Sequence, residues 1–567
     1  MRSRTSLLNK TVLIKNITRF APLWGIYSVL MLIFLVLRWD NCDSGAEFAN
    51  TASQIMAGMG IVNMLYAGLS GMLLFRDLYD PRMCNALHAM PLRRENWFAT
   101  NLVSGLLFSL VPNFLGGLIT AAMLGQYALY ALSWFALMIL QYLAFFGIAV
   151  FAAQCAGSRF GAITVYTLIN FIKVLLTWLI QSIYEPFLYG ISIDFDSLSW
   201  LCPVIKFSRV DYLETSYDKF TGTTVLERIS AQPWIYAGAA ALVGVALMGL
   251  ALLIYRKRAL ENAGNLISLK PVIPVFRILW TLCVASLFYV FGSADTEYIL
   301  LAIGSAVGFF TGQMLLEKKV QVFRGKNFLK YGLLVAVFAG TMGLTAWDPI
   351  GITEYVPQTE EIAAVRVYPQ EAEYYGWTPE RCCLLTQPRD VENIRKVHQY
   401  MLEERPATEL SVNPVTIVYE LKNGRTVERS YYVPPYSKAI EILSGIYSRP
   451  EYVLGEADLD KLMGKVITLQ YRDYGSDGTA LVFNGSVTDQ PDARALVEAL
   501  YKDCCEGTMD QWSWSFGSDS EGSVTLRVME NYEVSNIHIE ISEANKNTLE
   551  WVRQLKRPVV DYFNSLE

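Results

Sequence analysis

The side chains best suited to chemistry are few and scattered. His88, His398 and His538 are the only histidines, and no two stand close in sequence, so a His-based metal set is not expected. His398 falls on a predicted helix, where a partly buried structural role fits best. Hydrolysing ATP would need a G-x4-G-K-[ST] loop, whose backbone N–H groups cradle phosphate while the Ser/Thr holds Mg²⁺. The strings FRGKNF and LMGKVI come nearest, and both lack the first Gly and the Ser/Thr. The vicinal pairs Cys382-Cys383 and Cys504-Cys505 fit two readings: a disulfide between the pairs in an oxidising compartment, or ordinary small apolar residues. With no clustered acid, base, nucleophile or metal set, the chain is expected not to be an enzyme and to bind no metal or cofactor of its own.

The other candidates are polar residues set in apolar runs. Lys173, in NFIKVLLTWLI, stands near the middle of one such run. A charge there is costly and by default faces a bundle interior or a pathway. The alternative is a shifted span from which Lys173 snorkels to the surface. Asn113 (beside Pro112), Gln141 and Gln313 either line an interior or bind neighbouring helices. Gly304, Gly308 and Gly312 recur every four residues and make one smooth helix face for close packing.

The elements that must position these residues are membrane spans. Of 567 residues, 53% are apolar and only 18% charged, a charge share below that of ordinary soluble domains. A bilayer core takes about 20 mostly apolar residues as helix. Nine runs qualify: Phe20–Leu37, Ile55–Phe75, Leu102–Leu124, Trp134–Ala156, Phe160–Ile183, Trp234–Tyr255, Phe276–Phe291, Tyr298–Leu316 and Tyr331–Trp347. The seventh is the shortest. No cleavable signal is evident, so the first run is expected to act as a signal anchor.

Charge sets the expected orientation. One set of connecting segments carries 19 Lys+Arg and the other 5, so the first set, which includes the N-terminus, is cytoplasmic. Nine spans then put the C-terminal part outside the cytoplasm. The composition changes near Asp348: residues 1–347 hold 26 Lys+Arg against 17 Asp+Glu, and residues 348–567 hold 21 against 36. A basic membrane half is joined to an acidic, water-soluble half, and the excess acid reads as solvation.

The acidic half reads as α+β. EIAAVRVYP alternates as a strand, and Arg389–Glu404 carries Val391, Ile394, Val397 and Met401 at helical spacing. TIVYELKNGRTVERSYYVP is a hairpin, with Asn423-Gly424 as a type I′ turn signal. The pattern recurs in KVITLQYRDY, in the helix Asp492–Gly507 and in two strands around Glu530-Asn531, with a last helix from about Asn545 to Phe563. Two related strand–helix–hairpin units are expected.

Between the second and third runs lies RDLYDPRMCNALHAMPLRRENW, with seven charged residues. Asp80-Pro81 is a good helix start, Met83, Leu87 and Met90 share one face, and Pro91 stops the helix. Such a short amphipathic helix either docks into a partner's groove or lies on lipid.

Residues 1 to about 260 resemble an ABC-2-type permease, the membrane half of an ATP-driven transporter. The resemblance rests on the basic lead-in SLLNKTVLIKNITRF, two spans, the segment HAMPLRRENWFATN, a tight fourth–fifth pair, a long loop before the sixth span, and YRKR closing it. It implies a lead-in at 1–19 and a six-span core at 20–258 with a coupling loop at 76–101 and an outer loop at 184–233; the chain departs from the family in adding three spans at 259–347. Residues 348–567 form the extracytoplasmic domain. By position it implies that Asp80, Pro81, Arg82, Met83, Leu87, His88, Met90, Pro91, Leu92, Arg93, Arg94 and Glu95 contact a separate ABC ATPase subunit. That partner would use the ATP and Mg. A second permease subunit, identical or related, and the lipid bilayer are the other expected partners; nucleic acid is not. The added spans and outer domain look like a branch from Gram-positive bacteria whose C-terminal domain has no assigned role. The expected fold is therefore a polytopic α-helical membrane protein with a C-terminal α+β domain, in the cell membrane. Its expected function is that of an exporter's permease subunit. The other reading is a membrane-anchored sensor whose outer domain binds a cell-envelope ligand or antimicrobial peptide.

Overall fold

The computed structural model describes residues 8–33, 45–89, 93–191, 201–209, 213–218, 223–293, 296–369, 384–405, 413–434, 437–456, 458–473, 481–484, 490–508, 520–530 and 533–553. Contacts divide the chain into two units, one of residues 1–183 and 194–341, the other of residues 184–193 and 342–567.

The first unit is helical. Its helices are α1 (Lys10–Arg19), α2 (Ala21–Met31), α3 (Gly45–Leu74), α4 (Pro81–Ala89), α5 (Arg94–Leu124), α6 (Ala128–Cys155), α7 (Arg159–Leu179), α8 (Pro203–Arg209), α9 (Ala231–Lys257), α10 (Val272–Val290), α11 (Glu297–Glu317) and α12 (Gly325–Trp347). Seven of these, α5, α6, α7 and α9 to α12, are long and apolar enough to cross a membrane. The two remaining expected spans coincide with α2 and α3, whose shorter apolar stretches are Ala21–Met31 and Gly58–Leu74; residues 34–37 of the first lie outside the described residues. A short antiparallel hairpin, β1 (Leu213–Asp218) with β2 (Thr223–Ile229), precedes α9.

α6 is the central helix, with Phe145, Phe146, Ala149 and Ala153 wholly buried. Proline in α5 shows how the interior is satisfied. Pro112 has no N–H to give the Phe108 carbonyl one turn back, and the Tyr66 hydroxyl donates to that carbonyl instead, at 3.0 Å. In a lipid environment a freed carbonyl needs such a partner.

The second unit holds two sheets. β3 (Ile362–Pro369), β4 (Asn413–Leu421) and β5 (Thr426–Val433) form one in the order β3-β4-β5. Helix α13 (Pro388–Glu404) lies between β3 and β4 in sequence, and α14 (Lys438–Tyr447), α15 (Pro450–Val453) and α16 (Leu459–Lys465) follow β5. The other sheet, β6 (Val466–Asp473), β7 (Leu481–Asn484), β8 (Ser520–Glu530) and β9 (Glu533–Ser542), has the order β7-β6-β8-β9, with α17 (Pro491–Cys505) between β7 and β8. In each sheet a first strand pairs antiparallel with the first strand of a later hairpin, and a helix joins them. Both first strands also carry an irregularity at their start, at Ile362/Ala364 and at Val466/Thr468. β7 pairs with the outer edge of β6, and at the matching place beside β3 the Val365 and Leu385 backbones pair with each other, at 2.9 and 2.8 Å. The expected last helix is present over residues 546–553; the rest of it lies outside the described residues.

The β4–β5 turn differs from the expectation. Only Gly424 has positive φ, at 80°, whereas a type I′ turn needs it at both central residues. The Gly424 amide donates to the Leu421 carbonyl at 2.9 Å and the Leu421 amide to the Arg425 carbonyl at 2.9 Å. This is a three-residue loop with glycine at its left-handed position. The Asn423 side chain instead accepts from the Arg425 amide at 2.9 Å, which holds Asn423 out of the left-handed region.

The segment after α7 groups with the sheets: Tyr184–Ile193 falls in the second unit and the rest of the stretch before α9 in the first. The physical reason is an edge strand. The Ser430 amide on β5 donates to the Gly190 carbonyl, and the Tyr189 and Tyr431 rings pack at 5.4 Å.

Candidate functional site: the helix ends and the polar chain within the bundle

The segment between α3 and α5 begins with a short 3-10 turn, Arg76–Leu78. Asp80 then caps α4: its carboxylate accepts from the Arg82 amide at 2.8 Å. Cys84 is buried on the inner side of α4, whereas Pro81, Arg82, Asn85, Ala86 and Met83 (46% exposed) face outward. The side chains of Leu87 and His88, and residues Met90, Pro91 and Leu92, lie outside the described residues. Burial raises the Asp77 carboxyl above its ordinary range, against the pull of Arg19 and Lys15 on α1.

Arg93, Arg94 and Glu95 divide. Arg93 is exposed. Arg94 donates to the Arg258 carbonyl at 3.2 Å and the Arg256 carbonyl at 3.4 Å, and Glu95 pairs with Arg256 at 3.2 Å. Arg94 and Glu95 are therefore engaged with the end of α9, whose last carbonyls lack helical partners. α1 packs on the same region through Asn16, whose amide donates to Asn101 at 2.8 Å and Ser104 at 3.0 Å.

Deeper in the bundle, Asn113 and Gln141 belong to one hydrogen-bonded chain. Asn113 Nδ2 donates to Tyr27 Oη at 3.1 Å. Tyr27 donates to Asn63 Oδ1 at 2.8 Å, and Asn63 Nδ2 donates to Gln141 Oε1 at 2.6 Å. Four helices, α2, α3, α5 and α6, each give one member, and all four side chains are buried. The two ends stay open: Asn113 Oδ1 and Gln141 Nε2 have no hydrogen-bond partner among the described residues. Sequence reasoning singled out the two ends and missed Tyr27 and Asn63, which link them.

Lys173 is not a member of this hydrogen-bonded chain. It is buried on the face of α7 that also carries Tyr166 and Asn170, and Cys202 at the start of α8 donates to the Asn170 carbonyl at 3.2 Å. The opposite face of α7 lines an apolar groove of about 380 Å³ with α10, from Phe171 and Trp178 to Cys283 and Leu287. Gly304, Gly308 and Gly312 lie against α10. A methyl built on Gly304 would stand 2.6 Å from Phe288 Cβ, and one on Gly308 2.9 Å from Val284 Cβ. On Gly312 it would stand 3.0 Å from the Trp280 ring. Arg277 donates to Gln313 Oε1 at 3.3 Å across the same pair.

In the second unit, His398 is fully buried and shares a hydrogen bond with Tyr419 Oη at 3.1 Å. Burial, with Arg429 and Arg395 nearby, lowers its pKa from 6.5 to about 3. Cys504 is buried and Cys505 exposed, and both are free; Cys382 and Cys383 lie outside the described residues. No group of three His, Cys, Asp or Glu fit to hold a metal occurs among the described residues.

Comparison with known protein families and with curated proteins returns no match.

Proposed function

We propose that the chain is the permease subunit of an ATP-driven exporter of the ABC-2 type, driven by a separate ATPase and paired with a second permease subunit, identical or related. The observation that carries this reading is α4. It is a capped helix between two apolar helices, with Cys84 buried inward and Met83 exposed outward. It stands where helix ends from α3, α5, α6 and α9 meet. A lipid-surface helix needs no such framework, whereas a helix that receives a push does. In this reading the helix ends are cytoplasmic and the sheet-bearing unit lies outside. The Asn113–Tyr27–Asn63–Gln141 chain is the polar interior that the movement rearranges.

A second reading, a membrane-anchored sensor, draws support from Tyr184–Ile193. This segment follows α7 in the chain and groups with the sheet-bearing unit.

The test is a mild-detergent pull-down of the full chain with mass spectrometry. Capture of a soluble ATPase, lost in Met83→Asp, supports the permease reading. If the folded chain captures no ATPase, that reading falls and the sensor takes its place.

A further inference from the structure

The C-terminal carbonyls of α6 can be followed one by one. The last four carbonyls of a helix have no intrahelical donor. Here the Ala152 carbonyl accepts from the Ala156 amide at 3.1 Å and the Cys155 carbonyl from the Ser268 amide at 2.7 Å. The other two, Ala153 and Gln154, both accept from Arg258 Nη1, at 3.3 and 3.2 Å. The second terminal nitrogen of Arg258 donates to the Leu78 carbonyl at 3.1 Å, just ahead of α4. One buried guanidinium, 6% exposed, thus joins the segment before α4 to the end of α6. Its own carbonyl is held by Arg94 of α5. No carboxylate pairs with it among the described residues. A planar fork suits this bridging, which a single-point cation does not reproduce.

The chain after Arg258 continues the connection. It passes along the α6–α7 turn, where the Gly157 amide donates to the Leu266 carbonyl at 3.2 Å and the Gly264 amide to the Gly157 carbonyl at 2.7 Å. Gly264 lies beside Pro81 of α4: a methyl on it would stand 3.6 Å from the proline ring. Asn265 accepts from Lys318 Nζ, just past α11, at 3.1 Å. The strap then enters α10.

We propose that Arg258 is a positioning residue that makes the 76–89 segment and the α6–α7 turn move as one body, and that the strap after it carries the same movement to α10 and α11. The relay to an ATP-driven push rests on the permease reading; the joint itself does not. A rigid joint between packed elements that have two arrangements is one way in which movement at one of them reaches the other.

The experiment uses the full chain in nanodiscs, with any ATPase that co-purifies. Spin labels on unnatural amino acids replace the exposed Asn85 on α4 and Phe160 on α7, which leaves the nine native cysteines in place. The label-to-label distance distribution is read with and without a non-hydrolysable ATP analogue. In the wild type it is narrow and does not shift with nucleotide. Arg258→Ala, and Arg258→Gln should the first variant not fold, still bind the ATPase, but the distribution broadens and shifts on adding the analogue. A distribution as narrow as wild type in either folded variant, in both states, overturns the proposal. If no ATPase co-purifies with the wild type, the permease reading fails. The width in the nucleotide-free chain then still decides whether Arg258 is a joint: broadened in the variants supports it, and unchanged overturns it.

Discussion

The Ser430 amide donates to the Gly190 carbonyl at 2.9 Å, across 240 residues of sequence. Gly190 has φ +75°, and a methyl on it would stand 2.2 Å from the Tyr431 ring, so no other residue fits there unstrained. This bond has a topological consequence. Between Gly190 and the sheets lie four helices of spanning length, α9 to α12. An even number of crossings returns the chain to the side it left. Epitope tags inserted after Pro186 and after Gly424 are therefore expected to be reached by antibody from one and the same side of the membrane. The check is labelling of intact cells against lysed cells. Tags reached from opposite sides would mean that one of the four helices does not cross.

Arg93 and Arg94 are adjacent and should behave differently. Arg94 holds the last carbonyls of α9, and hydrogen bonds from a charged donor contribute about 1.5–3 kcal/mol before solvent exposure reduces them. Arg94→Glu is expected to lower the unfolding temperature of the detergent-solubilised chain. Arg93→Glu should leave that temperature unchanged and weaken only ATPase capture. Thermal unfolding beside co-purification separates the two, and equal loss of stability in both variants would remove the distinction.

His398 predicts an acid-sensitive domain. Its pKa is about 3 in the fold and about 6.5 in an unfolded chain. The unfolded state therefore takes up the proton first as pH falls. The stabilisation is complete above pH 6.5 and is lost as pH drops toward 3, by up to about 1.4 kcal/mol for each pH unit. Hydrogen exchange of the full chain across that range is expected to show loss of protection in α13, β4 and β5. His398→Phe should flatten the dependence, because nothing is left there to protonate. A wild-type profile that stays flat from pH 7 to 4 would contradict the burial of a neutral ring.

Much of the fold is legible in the chain, for physical reasons that also mark the limit. The apolar runs locate α5 to α7 and α9 to α12 because bilayer thickness fixes the length of a spanning helix. Alternation locates β3 and β6 because each sheet has a buried face. What is not legible depends on pairing across helices. Tyr27 and Asn63 look like single polar residues in apolar runs, and nothing in their spacing says that they meet. Arg258 reads as one more charge closing a span, because the carbonyls it binds belong to the backbone and leave no mark in the sequence. Arg94 and Glu95 read by position as part of an ATPase-contacting segment, and nothing nearby in sequence marks their bonds within the chain: their partners, the end of α9 and Arg256, are 161 to 164 residues away. Asn-Gly alone reads as a type I′ turn, whereas the Asn423 side chain bonds the Arg425 amide and the loop closes over three residues.

The polar chain offers the sharpest test of the interior. Asn63 is its centre, accepting from Tyr27 and donating to Gln141. Tyr27→Phe leaves Asn63 Oδ1 without that donor, at a cost of about 1–3 kcal/mol, toward the low end where membrane helices find substitute partners. Gln141→Leu removes the acceptor on the other side. If the two bonds act through Asn63 as one network, the double variant is expected to lose less stability than the sum of the single losses, because the second change acts on a network already broken. Thermal unfolding of wild type, both single variants and the double variant in nanodiscs supplies the cycle. Asn63→Ala, which breaks both bonds at once, should match the double variant rather than either single one. Additive losses would mean that Asn113–Tyr27–Asn63 and Asn63–Gln141 are two separate helix contacts, each stabilising the interior without the other.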